Sequence, residues 1–194
     1  MIEKRVRVGF CLSLALLAII GLVSYQTTLK LRDTDAWEAH IEELLAKLDL
    51  IALKLRDAEI SQRSYIITGN ARDLAPYQAS LRVIDSELQE LHGLTSDVPN
   101  ITQQINILDA EVALEWQVNA RANTLRLREG PDVATQIALA EQSKQLAQRI
   151  LNKIDQLEEE QNQLLQKHTD QAEARALVLN LTIGFGSFLA IVLV

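Results

Sequence analysis

Residues 41–58 read IEELLAKLDLIALKLRDA. Within them Ile41, Leu44, Leu48, Ile51, Leu55 and Ala58 recur at steps of three, four, three, four and three. Those steps return apolar side chains to one face of an α-helix. A sustained mean of 3.5 residues narrows the face to a seam that packs against other helices with a left-handed supercoil.

The same spacing recurs outward along the chain. Leu74, Tyr77, Leu81, Ile84, Leu88 and Leu91 form a second stripe, and Ile101, Ile105, Leu108, Val112 and Trp116 a third. A fourth runs through Val133, Ile137, Ala140, Ala147, Ile150, Ile154, Leu157 and Leu164, with polar Lys144 and Gln161 in two seam positions. Between residues 26 and 175, glycine and proline fall at three places only: Gly69 with Pro76, Gly93 with Pro99, and Gly130 with Pro131. Three breaks and four stripes predict an all-α, antiparallel four-helix bundle. The punctuation agrees. Asp73 can cap a helix whose first turn holds Pro76. Asn100 and Gln103 are spaced as a capping box after Pro99. Gly130 suits a helix end and Pro131 a helix start.

Beyond the bundle lie two uncharged runs, Val8–Tyr25 of 18 residues and Ala176–Val194 of 19. Each is about the length that crosses a bilayer core. Lys4, Arg5 and Arg7 precede the first and place the N-terminus in the cytoplasm. Residues 1–25 carry a net +2, which leaves −9 of the chain's −7 total for the remainder. A cleaved signal peptide is disfavoured, because no Ala-x-Ala pattern follows the apolar run and Leu22 is bulky there. Gly9 with Ser13 and Gly186 with Ala190 are small-residue pairs that allow close helix approach in lipid. The expected organisation is a cytoplasmic N-terminus (1–7), a first membrane helix (8–25), an extracytoplasmic bundle (26–175) and a second membrane helix (176–194). The second helix ends without a basic flank, which implies a cytoplasmic portion in the parent protein. No breaker separates either run from the adjoining bundle helix, so the first and last helices should continue into the membrane as rods. Residues 26–68 alone would extend about 65 Å.

Near the end of the first helix the stripe gives way to Asp57-Ala-Glu-Ile-Ser-Gln-Arg-Ser-Tyr-Ile-Ile-Thr-Gly-Asn70. Arg63 lies four residues beyond Glu59, the spacing of a helical ion pair. Groups of this kind need partners if they face the bundle interior. This segment resembles the third class of CHASE sensor domains, whose signature runs Asp-Ala-Glu-Thr-Gly-Gln-Arg-Gly-Tyr-Leu-Leu-Thr-Gly. The chain agrees at Asp57, Ala58, Glu59, Gln62, Arg63, Tyr65, Thr68 and Gly69, and departs at Ile60, Ser61 and Ser64. Leu74, Pro76 and Tyr77, Leu94-Thr95 with Asp97 and Pro99, and Leu125-Arg126-Leu127-Arg128 extend the likeness over residues 35–168. The resemblance implies a four-helix sensory domain outside the bacterial cytoplasmic membrane, on its periplasmic or extracellular side. It also implies a homodimer and an output module after the second membrane helix: most often a histidine kinase, otherwise a diguanylate cyclase or chemoreceptor domain.

Asp57, Glu59, Gln62, Arg63, Tyr65 and Thr68 are the candidate ligand site or polar switch. The alternative is a structural network that holds register between helices, and the balance goes to that reading, because buried polar networks commonly specify packing. Gly69, Gly93, Pro99, Gly130 and Pro131 mark the hairpin breaks. His40, His92 and His168 lie apart, without metal-ligand spacing, and are read as solvent-exposed. Glu158-Glu159-Glu160 is a solvated face. Trp116 follows the third stripe into the core, and Trp37 is placed at the bundle base. Cys11, alone in an apolar run, is a small hydrophobe.

Nucleophile motifs and phosphate loops are absent from the sequence. The chain is therefore read as non-catalytic, with no cofactor, no metal and no nucleic-acid partner. The function expected is signal transduction across a membrane in response to a small molecule or protein that the sequence does not identify. The rivals are a membrane-anchored coiled-coil scaffold that does not signal and an extracytoplasmic enzyme.

Overall fold

The computed structural model describes residues 2–129 and 133–193, with side chains throughout 37–128 and 139–172 and at scattered positions toward both chain ends. Its elements are α1 (Ile2–Thr68), a 3-10 turn (Ala71–Asp73), α2 (Leu74–Thr95), α3 (Pro99–Glu129) and α4 (Val133–Leu193). No strand occurs among the described residues. The expected break at Gly130-Pro131 lies outside them. The chain forms two compact units, one of residues 1–39 with 163–194 and one of His40–Asn162.

The unit of His40–Asn162 is a four-helix bundle. Leu44, Leu48, Ile51 and Leu55 of α1 meet Ile84, Leu88 and Leu91 of α2, Ile105, Leu108 and Val112 of α3, and Ile150, Ile154 and Leu157 of α4 in one buried core. Each such side chain stabilises the fold by roughly 1.5–3 kcal/mol relative to exposure. Side-chain pairs give the helix directions. Lys47 bonds Glu87 at 3.2 Å and also bonds Glu90, while Ser64 donates to Asp73 at 2.8 Å, so α1 and α2 run antiparallel. Gln104 reaches Glu160 at 3.1 Å and Ser143 reaches Asn119 at 2.7 Å, so α3 and α4 do too.

Four details depart from the sequence reading. The α1 stripe does not give way after Ala58 but runs on through buried Gln62 and Tyr65, keeping the four-three alternation. On α4 the seam is the expected one from Ala147 through Ile150, Ile154 and Leu157 to Gln161, but before it the buried positions lie one residue back: Leu139, Ser143 and Leu146 are buried, whereas Ala140 and Lys144 are exposed, and beyond it Leu164 is 42% exposed. Leu139 and Leu146 offer more apolar surface than Ala140, and the 139-143-146-150 spacing follows a nearly straight helix. On α2, Ser80 rather than Leu81 is buried.

The fourth detail is at the helix ends. Gly93 sits inside α2, which continues to Thr95, and among the described residues only Gly69 has a positive φ, +69°. Thr95 Oγ1 donates to the Leu91 carbonyl at 2.8 Å, and Thr102 Oγ1 reaches the carbonyls of Thr95 and Val98. These hydroxyls close the α2–α3 connection. Asn100 is already the second residue of α3, so no capping box forms with Gln103. Asp73 occupies the N-cap position of α2 without a side-chain cap bond, because its carboxylate accepts from Ser64 and Thr68, at 2.8 and 2.9 Å. Asn70 instead caps the 3-10 turn by accepting from the Arg72 amide at 3.1 Å.

In the unit of residues 1–39 and 163–194, Trp37 stacks against His168 with ring centroids 4.2 Å apart, and Thr169 Oγ1 lies 3.4 Å from Glu38. Among the described residues, no helix is long and apolar enough to cross a membrane. Most side chains of the runs 8–25 and 176–194 are not among those described.

Candidate functional site: a buried polar layer

The four-three alternation that makes α1 and α3 pack also carries polar residues into the core. On α3 the stripe of buried positions runs Ile101, Ile105, Leu108, Val112, Glu115, Asn119 and Ala122, with Val118 buried beside it. The step of three after Val112 selects Glu115, not Trp116, which is half-buried at the edge of the apolar cluster. On α1 the corresponding continuation selects Gln62 and Tyr65, on α2 it begins with Tyr77, and on α4 it includes Ser143.

These side chains form a connected layer. Ser143 Oγ donates to Asn119 Oδ1 at 2.7 Å, and Asn119 Nδ2 donates to Glu115 Oε1 at 3.3 Å. Glu115 is 1% exposed, and its Oε2 is buried without a hydrogen-bond partner. Burial pushes the Glu115 carboxyl up to about 7; the hydrogen bond from Asn119 opposes the rise and the nearby Glu59 carboxylate adds to it. Tyr77 is pushed up to about 12, first by burial and then by the Glu115 charge, with a bond from Asn119 acting the other way. All four helices therefore meet at this level: Glu59 and Gln62 from α1, Tyr77 from α2, Glu115 and Asn119 from α3, Ser143 from α4. Beside the layer is a cavity of about 40 Å³, lined by Glu59, Gln62, Arg63, Ile66, Ala122, Ala140 and Ser143.

The six candidates on α1 do not come together as one site. Glu59 and Arg63 form the ion pair that their spacing predicts, at 2.8 Å, with Arg63 57% exposed. They line the small cavity with Gln62. Asp57 faces elsewhere: it pairs with Lys54 at 2.8 Å and borders an open groove of about 380 Å³ between α1 and Pro76, Ala79, Ser80 and Val83 of α2. Tyr65 is buried. Thr68, at the end of α1, donates to Asp73 and to the Ser64 carbonyl.

Glu115, Asn119 and Ser143 were not singled out in the sequence. The signal for the first two was present: extending the α3 stripe by strict alternation past Val112 lands on Glu115, Asn119 and Ala122. Ser143 required the neighbouring helix, because the α4 stripe can be drawn on either side of it.

At Gly69 the structure brings together two distant parts of the sequence. Arg126 Nε donates to the Ile66 carbonyl at 2.8 Å, and a Cβ on Gly69 would lie 2.8 Å from Arg126 Nη2. The Leu125-Arg126-Leu127-Arg128 segment thus closes the end of the helix that carries the Asp57–Gly69 segment. Of the histidines, His92 lies 3.4 Å from Asp109, His40 is half-buried, and His168 is exposed but stacked on Trp37. No cluster of three or more His, Cys, Asp or Glu side chains able to hold a metal occurs among the described residues.

Fold and layer together define a helical-bundle module with a polar layer in its core. A family model, that of the CHASE3 domain, matches residues 34–171, and the chain belongs to that family. CHASE3 is a sensory extracellular domain found in signalling proteins. The matched range brackets the 35–168 over which the sequence resemblance was traced. Comparison with curated proteins and with solved structures finds no match.

Proposed function

We propose that this chain is the membrane-anchored sensory part of a bacterial receptor, with the bundle on the outer side of the cytoplasmic membrane and the signal leaving through α4. Membership of the CHASE3 family carries the sensory reading. Anchoring is supported by side chains at the chain ends. Ile19, Leu22 and Tyr25 of α1 and Leu177, Val178, Leu181 and Phe185 of α4 are 61–72% exposed. Large apolar side chains grouped on a surface mark contact with a partner or a membrane. The uncharged runs that contain them and the basic residues Lys4, Arg5 and Arg7 favour lipid, with the N-terminus inside.

A stimulus that binds one packing of the bundle more tightly shifts the population toward it. Helix α4 has no break between Val133 and Leu193, so a displacement of its bundle segment is carried along it. The output module is most often a histidine kinase in this family, otherwise a diguanylate cyclase or chemoreceptor domain, and it works as a pair, which makes the receptor a homodimer. No step of catalysis is assigned to these residues.

The test is Gln161→Pro in the full-length receptor. Proline in a helix interior removes a backbone hydrogen bond and kinks the helix. Output that no longer responds to stimulus is expected. Unchanged output would overturn the relay, and protease cleavage of residues 26–175 in spheroplasts only after their lysis would overturn the topology.

A further inference from the structure

We propose that the layer around Glu115 takes up a proton in this packing of the bundle and releases it in a wetter one, so that the acidity outside the membrane is a stimulus the domain reads. The proposal names a stimulus for the layer and rests on the sensory reading above.

The geometry favours a neutral carboxyl. Glu115 is 1% exposed, so an ionised group there would be out of reach of solvent. A buried carboxylate needs a paired cation or several donors to be tolerated. Glu115 has neither: its one hydrogen bond is the 3.3 Å contact from Asn119, and Oε2 has no partner. The groups facing it from each helix do not supply a compensating positive charge. From α1 comes Glu59, an anion, whose cation Arg63 is bonded to it at 2.8 Å. From α2 comes Tyr77, which burial keeps neutral. On α3 itself Asn119 is uncharged. From α4 comes Ser143, also uncharged, which directs its proton to Asn119 Oδ1 and so leaves Asn119 Nδ2 for Glu115. A protonated carboxyl is satisfied with far less than a carboxylate is.

The neighbouring cavity shows how the ionised form could be accommodated. Its volume of about 40 Å³ has room for about two waters, and Glu59, Gln62, Arg63 and Ser143 give it polar walls. A small separation of α1 from α3 and α4 would bring water from this cavity to Oε2. The dry packing therefore goes with a proton on Glu115 and the hydrated packing with its loss. The burial that lifts this carboxyl to about 7 sets the exchange in a range that external media cross.

The experiment uses the full 194-residue chain in detergent micelles with ¹³C-labelled glutamate. The Glu115 carboxyl resonance, identified by its absence in Glu115→Gln, is followed from pH 4 to 9. A midpoint near 7 is expected. A midpoint at or below 5 would overturn the proposal; the midpoint itself is read on the wild-type chain. In the full-length receptor, output should change between pH 5.5 and 8.5 and be locked in the acid state by Glu115→Gln. An output that follows pH equally in both proteins would overturn Glu115 as the sensor. The two readings fail separately: a low midpoint removes the proton switch and leaves a sensory domain, whereas output indifferent to Gln161→Pro removes the sensory relay whatever Glu115 does.

Discussion

Arg126, on α3, donates its Nε–H to the carbonyl of Ile66 at 2.8 Å, two residues before α1 ends at Thr68. The last carbonyls of a helix have no partner within it and carry partial negative charge. A guanidinium from a neighbouring helix meets both needs. Arg126→Ala should therefore lower the stability of the bundle by about 1–3 kcal/mol, the range for removing a charged partner from a half-buried polar group. Chemical denaturation monitored by circular dichroism measures it. A change below about 0.5 kcal/mol would show that water replaces the guanidinium without loss.

Gly69 stands at φ +69°, where a side chain costs roughly 1–2 kcal/mol. Gly69→Ala adds a Cβ that would lie 2.8 Å from Arg126 Nη2, but that atom ends a flexible side chain and can move. The backbone term should dominate. Gly69→Ala is expected to cost about the same in the Arg126→Ala background as alone, and a double-mutant cycle on the melting free energies tests this. A coupling above about 1 kcal/mol would mean that the contact, not the dihedral, decides.

Ser143→Ala removes the donor to Asn119 Oδ1, a bond of 2.7 Å between buried groups. It leaves a buried amide oxygen unsatisfied, at a cost of about 1–3 kcal/mol. It also frees Asn119 to turn, so the Glu115 titration should broaden or move. Ser143→Ala with unaltered melting would mean that the layer is hydrated and loosely held.

The stability of the bundle should fall as pH rises from about 4.5 to about 7. Glu115 has a raised folded-state value, so its neutral form is favoured in the bundle, and the unfolded chain ionises first as pH rises. The contribution is fully present below the unfolded value and lost by the time pH has passed the folded one. A displacement from 4.5 to about 7 corresponds to a loss on the order of 3 kcal/mol. Asp85 and Glu158 are also raised by burial and act in the same direction, whereas Glu160, held down by bonds from Gln104 and Gln156, acts in the other. The difference between wild type and Glu115→Gln in melts across this range isolates the one group. Parallel curves would show that Glu115 does not titrate there.

Arg63→Ala should change stability by less than about 1 kcal/mol, since the pair with Glu59 has a 57% exposed guanidinium and such pairs contribute little. Its effect belongs on Glu59: with the cation gone, that carboxylate stands less compensated near Glu115, and the Glu115 midpoint should rise. Strong destabilisation by Arg63→Ala would place the side chain inside the bundle rather than at its edge.

The helices and the hairpin turn at Gly69 were legible because they depend on neighbours in sequence. Spacing of three and four residues defines a face whatever that face meets, and the core positions from Ile41 to Ala58 followed from it without correction. Proline at the start of α3 acts through its own backbone and was equally visible. The level at which polar groups meet was not. Gln62 and Tyr65 belong to the seam, but a stretch rich in Asp, Glu, Arg and Ser looks like the end of one. Asp57, Glu59 and Thr68 share that stretch and turn to three different environments, because successive helix residues are about 100° apart and only the neighbouring helices decide which direction is inside.

By itself, then, the order of residues determined that four helices form, which face of α1 is apolar and where Gly69 must turn, since each rests on local geometry and transfer from water. Only the tertiary structure decided that Glu115, Asn119 and Ser143 share one level with Glu59 and Tyr77. It placed Arg126 on the end of α1 and moved the α4 seam from Lys144 to Ser143. Those choices depend on how far each helix slides and rotates against the other three, a quantity set by side-chain packing across the core, where residues close to 60 positions apart become neighbours.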